Sequence, residues 1–283
     1  MNITKKAYLK SIAILLTIIM VFTFGLFYTP VNAATKSNTD LNRFLTNDEL
    51  SALEQSDTLT DDGLHDALRF LDTCGIDINN IELNKNKLTL DVEVGDISNS
   101  IIINSANNEL IKMEVFEGDK HNVIELDDAN NLYVDGEKIE VTEEEIVDID
   151  EISANAQARY GSCPYGKAAD YTYYAKTTTK NIKLANKIAS LTATTLGGVL
   201  GYALGIGGVI AGGIASDILK DAVESDGNIL KSKAKVYYHK SKKKFMVTSS
   251  IGCQKETTSF YGSNANHILA KKTLWLYNHV NGA

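Results

Sequence analysis

The sequence predicts an α+β fold in two halves. A small acidic domain of one or two helices packed on an antiparallel sheet comes first. A basic domain follows, with β-strands flanking a Gly-rich apolar helix or helical hairpin. Three observations carry this expectation. The apolar period changes from helical spacing to alternation beyond Ile81. The charge changes sign once: residues 34–155 hold 30 Asp and Glu against 8 Lys and Arg, and residues 156–283 hold 17 Lys and Arg against 6 Asp and Glu. And the run from Ile188 to Ser216 holds no charged residue, although eight of the 17 positions from Gly197 to Gly213 are glycine.

Residues 1–33 read as a secretory signal. Lys5, Lys6 and Lys10 precede the uncharged SIAILLTIIMVFTFGLFY, and Val31 and Ala33 occupy the small-residue positions before a cut near Ala33 or Ala34. The expected address is therefore the medium or the cell envelope, where disulfides persist. In the acidic domain, 34–142, LTNDELSALEQ carries a capping box, Thr46 followed three residues later by Glu49. Leu64, Ala67, Leu68 and Leu71 then share a helical face. KLTLDVEVGD alternates strictly, NSIIINSANNELIKMEVFEG reads as two strands joined at Asn107-Asn108, and NVIELDDANNLYVDGEKIEV reads as short strands with turns at Ala129-Asn130-Asn131 and Asp135-Gly136.

Residues 143–158 (EEEIVDIDEISANAQA) read as an acidic linker or processing site before the basic domain, 159–283. There, DYTYYAKTTTKNIKL favours strand. KSKAKVYYHKSKKKFMVTSSIG reads as a basic hairpin turning at Lys240 to Lys244, and NHILAKKTLWLYNHV as a short amphipathic helix or strand. Between them, in the apolar segment 188–216, Gly197, Gly201 and Gly205 are spaced by four, as are Gly208 and Gly212. This glycine zipper suits close helix packing, self-association or a membrane span. A turn at Gly205-Ile206-Gly207-Gly208 would instead make a hairpin of two short helices, buried in a fold or dipped into an interface.

Cys163 and Cys253 flank the apolar segment and are expected to form a disulfide, leaving Cys74 as a buried core thiol. None of His65, His121, His239, His267 and His279 stands in a metal-ligand spacing, and GIGGVIAGG lacks the Lys-Ser/Thr of a phosphate loop. No catalytic residue, metal, cofactor or nucleic-acid partner is expected. The basic surface is expected to comprise Lys231, Lys233, Lys235, Lys240, Lys242, Lys243 and Lys244, with Trp275 as an interfacial aromatic.

In layout, the signal, the acidic middle, LGGVLGYALGIGGVIAGG and its flanks YTYYAKTTTK and KVYYHKSKKK, the chain resembles secreted bacteriocin-like or toxin precursors of Gram-positive bacteria. The resemblance implies a membrane-active cationic half, masked by the acidic half. The residues themselves also allow a secreted or envelope-associated binding protein with the apolar segment buried. Either reading gives an anionic membrane or a cell-wall polyanion as partner.

Overall fold

Two antiparallel sheets enclose a helical hairpin in the computed structural model. It describes residues 45–279, apart from 74–75, 85–86, 95, 108, 148–158, 161–164, 207–208, 244–246, 249–250 and 264–266. The signal segment, Cys74, Cys163, Gly208, Lys244 and most of the expected linker lie outside the described residues.

Helix α1 (Asn47–Glu54) starts at the expected capping box: the Glu49 N–H donates to Thr46 Oγ1 (3.3 Å), and Thr46 N–H donates to Glu49 Oε2 (2.8 Å). Helix α2 (Asp61–Thr73) buries Leu64, Ala67, Leu68 and Leu71. Seven strands follow in sequence order: β1 (Asp77–Asn84), β2 (Lys87–Val94), β3 (Ile97–Ala106), β4 (Leu110–Glu117), β5 (Lys120–Asp127), β6 (Leu132–Val134) and β7 (Glu137–Lys138). Alternation decides which face is inward. Leu88, Leu90, Val92 and Val94 of β2 are buried, and Asp91 and Glu93 between them are exposed. The tight turns form where the sequence tolerates left-handed backbone, at Asn130 (φ 58°) and at Asp135-Gly136 (φ 51° and 81°).

The second sheet has the order β8-β10-β11-β12-β13-β9. Its strands are β8 (Glu140–Val147), β9 (Arg159–Tyr160), β10 (Tyr171–Lys183), β11 (Ile229–His239), β12 (Ile251–Tyr261) and β13 (Ile268–His279). Two expectations are corrected here. Glu143 to Val147, read as part of a linker, are paired in β8 against β10. The acidic run is a strand because cations face it: Lys176 Nζ lies 2.8 Å from Glu145, Lys180 Nζ 3.2 Å from Glu143, and Lys183 Nζ 3.7 Å from Glu140. The basic hairpin also returns later than expected, at Ile251, because Val247 is taken up in a buried cluster with Tyr171, Cys253 and Trp275. The C-terminal segment, open between helix and strand, is strand β13.

The apolar segment resolves into two helices, α3 (Ala193–Leu204) and α4 (Val209–Asp221). No helix among the described residues is long and apolar enough to cross a membrane. Helix α3 packs on α4 and on β2, β3, β4 and β6, and α4 packs on β2 and β13. The hairpin thus lies between the sheets, and one continuous cluster includes Leu90 and Ile103, Leu196 and Ile214, and Leu230 and Phe260. Ten of the twelve residues of α3 are buried, which explains its unbroken apolarity: a helix covered on all sides has no polar face to keep. Glu117 Oε2 accepts from the Ala193 N–H (2.6 Å), placing a carboxylate at the positive end of α3, and Lys180 Nζ donates to the Ala203 carbonyl (3.3 Å) at its negative end. Ser216 Oγ and Lys220 Nζ of α4 donate to Asp96 at the β2–β3 turn, each at 2.9 Å. Chiefly the Lys220 hydrogen bond, then that from Ser216, hold the Asp96 carboxyl below its ordinary range. This clasp is therefore present above the usual carboxylate pKa and is lost as pH falls through the lowered value.

The glycines divide by role. Gly197 and Gly212 are buried, and Gly201 is half-buried. Gly205 is exposed and left-handed (φ 61°, ψ 33°), with its N–H donated to the Gly201 carbonyl (3.0 Å). It ends α3 rather than extending the ladder, because an L side chain is disfavoured there. Gly205→Leu should cost about 1–2 kcal/mol from backbone strain. Gly205→Asn should be better tolerated, since Asn accepts left-handed backbone. Thermal unfolding of both variants checks this; a leucine variant as stable as the parent would refute the cap.

Candidate anion-binding face

Strand β11, ILKSKAKVYYH, alternates, and the alternation separates two surfaces. Leu230, Ser232, Val236 and Tyr238 are buried, while Lys233 and Lys235 are exposed and Lys231 is half-buried. Lys231, Lys233 and Lys235 therefore stand on the outer face of the second sheet, away from the hairpin. Register extends the face sideways. Lys231 lies between Asn181 of β10 and Tyr261 of β12, Lys233 between Thr179 and Ser259, and Lys235 between Thr177 and Thr257. Lys271 of β13 pairs with Ser259 and is exposed. Lys255 is adjacent to Tyr237, its Nζ 4.9 Å from the ring centroid.

What distinguishes these lysines is the absence of counter-charges among the described residues. No carboxylate lies within ion-pair distance of Lys231, Lys233, Lys235 or Lys271 among the described residues. Lysines elsewhere in the sheet are engaged: Lys176, Lys180 and Lys183 with β8, and Lys272 with Asp217 at 2.5 Å. In register with Lys233 on the outer face stands Glu144 of β8, which pairs with Thr179 and lies two strands away. Exposed Ile229 and Ile268 border the lysines at one end, and Ile146 lies at the β8 edge.

Other expected basic residues are distributed differently. Lys240 Nζ is 2.7 Å from Asp170 Oδ1, and that hydrogen bond is the main cause holding the Asp170 carboxyl below its usual range. Lys242 and Lys243 follow β11 in a turn, Lys243 Nζ lying 5.4 Å from the Tyr173 ring centroid. Trp275 is corrected outright: only 3% exposed, it meets Tyr171 edge-on at 4.9 Å, with Cys253 and Val247 in the same cluster. An indole so covered cannot serve as an interfacial anchor. Cys253 is buried beside it, and its expected partner Cys163 lies outside the described residues.

The expected masking of these lysines by carboxylates of the acidic half is not seen among the described residues. The first sheet carries Glu82, Asp91, Glu93, Glu114 and Glu125 on the face turned away from the hairpin, and the lysine face is on the far side of the molecule. The halves meet through apolar packing, a seam of β8–β10 ion pairs, the Asp96 clasp on Ser216 and Lys220, and the Glu117 carboxylate on the Ala193 N–H.

Two groupings resemble catalytic sets. Ser241 Oγ lies 2.7 Å from His239 Nδ1, and His239 Nε2 is 3.9 Å from Asp170. The same Nδ1 also accepts the Ser241 N–H (3.3 Å), so this is a local turn clasp, and 3.9 Å is too long for a hydrogen bond that would orient a base. Buried Asp226 binds His267 Nδ1 at 3.1 Å and accepts the Val223 N–H at 2.8 Å, tying two loops together. Among the described residues, no three His, Cys, Asp or Glu side chains gather as a metal-ligand set.

The sequence alone groups Lys231, Lys233 and Lys235 with the loop lysines and does not single out Thr179, Asn181, Thr257, Ser259 and Tyr261 beside them. The signal was present in the alternation of KTTTKNIK and KETTSFY. Pairing partners, however, become visible only with the register. Compared with protein families, curated proteins and solved structures, the chain matches none.

Proposed function

We propose that this chain is a secreted, non-enzymatic binding protein of the cell envelope that docks through the outer face of its second sheet onto an anionic polymer. The single observation carrying this reading is the row Lys231, Lys233 and Lys235, held on one strand without a carboxylate partner among the described residues. A folded protein usually neutralises or disperses such a row, because like charges on one strand repel. Here the repulsion is relieved on binding. The buried position of the Gly-rich hairpin favours this reading over a membrane-active precursor: that segment already fills the space between the sheets.

The test is binding of the secreted chain to isolated anionic wall polymer as salt is raised. Three neutralised charges on a linear polyanion should give a slope of log K against log salt of roughly −2, from counterion release of ~0.7 per charge. Salt-independent binding, or none at low salt, would overturn the proposal.

A further inference from the structure

Resting on that reading, we infer that the ligand is a linear phosphodiester polymer lying along β11, one phosphate to each lysine step. The observation is a threefold repeat across three strands. Each lysine is flanked on both sides by a polar side chain: Asn181–Lys231–Tyr261, Thr179–Lys233–Ser259 and Thr177–Lys235–Thr257. Thr177 shares a hydrogen bond with the Tyr174 phenol (2.7 Å). Thr179, Asn181, Thr257, Ser259 and Tyr261 are half-buried and donate to no other side chain among the described residues. Two steps thus offer an ammonium with a hydroxyl or amide group on each side, and the third, where Thr177 is buried, offers Lys235 with Thr257.

The flanking hydroxyls favour a phosphodiester. Arginine's fork, absent from this face, would serve carboxylate and phosphate alike, so the preference rests on the hydroxyls and the spacing. A phosphodiester has two outward oxygens on a tetrahedral centre, and these accept from a point-like ammonium and from hydroxyls on either side. Spacing agrees. Lysines at every second residue of a strand advance by about 6.7 Å. A polyol phosphate whose repeat contains six backbone bonds spans this distance when slightly short of full extension, so successive charges can stay in step with β11.

The test keeps charge constant and moves it off the line. In the double variant Lys233→Ser with Ser259→Lys, the ammonium shifts one strand sideways within the same cross-strand row, away from Glu144, and the net charge is unchanged. Binding of parent and variant to poly(glycerol phosphate), to polyglutamate and to phosphatidylglycerol vesicles is measured, with thermal midpoints verifying the fold. The expected result is parental preference for poly(glycerol phosphate), at least tenfold weakened in the exchange variant at an unchanged midpoint. Equal binding by the variant would overturn the line along β11 while leaving salt-sensitive polyanion binding intact. Equal parental affinity for polyglutamate would overturn the phosphodiester assignment, and preference for vesicles would replace the polymer by a membrane. Binding to none of the three would remove the underlying reading as well.

Discussion

Reversing three charges, Lys231→Glu, Lys233→Glu and Lys235→Glu, is expected to abolish binding to anionic wall polymer and to leave the fold intact. Each lysine near an anionic surface contributes about 1 kcal/mol, and a glutamate in its place adds repulsion of similar size. The combined loss is about 3–6 kcal/mol, a weakening of roughly 10²–10⁴-fold. Stability should change little. The three side chains point outward and have no ion pair to lose among the described residues, and such surface substitutions usually stay within about 0.5 kcal/mol each. Reversing Lys87 and Lys138, exposed in the first sheet, moves the net charge two-thirds as far and should weaken binding far less than in that proportion. A triple variant that still binds like the parent would show that the site lies elsewhere.

The second large effect is expected at Gly63→Ala. Gly63 sits in the first turn of α2, where a methyl group would come 2.2 Å from the Ala106 carbonyl oxygen and 2.4 Å from its carbon. These are backbone atoms at the end of β3 and cannot rotate away. The same carbonyl accepts from the Thr60 N–H (3.0 Å) and from Thr60 Oγ1 (3.2 Å), so displacing it disturbs the bonds that dock α2 on the sheet. Alanine would gain about 1 kcal/mol of helix propensity. Against it stand ~1–3 kcal/mol of overpacking and ~1 kcal/mol for each weakened hydrogen bond. A net loss of about 2–4 kcal/mol should lower the thermal midpoint by roughly 10 °C in a unit of this size. A midpoint equal to or above the parent's would mean that α2 does not approach β3 as described.

Local chemistry was legible where one strand or one turn decides it. Thr46 with Glu49, the alternation of KLTLDVEV and the Asp135-Gly136 turn each carry their own cause in a few residues. The hairpin at Gly205 was legible as an alternative to a span, since glycine at that position both permits the turn and weakens a continuous helix. Its location was not, because apolarity looks the same whether lipid or protein covers it. Glu143 to Glu145 were misread for a related reason: an acidic run signals solvent until its partners Lys176 and Lys180, more than 30 residues away, are brought beside it. Trp275 was misplaced because aromatic residues suit interfaces and cores equally, and only the neighbouring Tyr171 and Cys253 decide. The lysine row was visible as a composition, and its face became definite only with the pairing of β10, β11 and β12.

The position of the helical hairpin has a consequence for the order of events during folding. Every strand of the first sheet pairs with its neighbour in sequence, so that sheet closes only short loops. The second sheet joins β13 to β9, with Trp275 opposite Tyr160, and β10 to β8 and to β11 across the whole hairpin. Such distant pairings are slow. A chain emerging from its N-terminus presents the meander first, already offering Leu88, Leu90 and Ile103 as a surface for α3. The hairpin can then dock on that template at once, while its other side waits for β11 to β13. During that interval α4 is the aggregation-prone part of the molecule. The acidic meander therefore acts on the apolar segment as a built-in folding platform, one that remains part of the finished core.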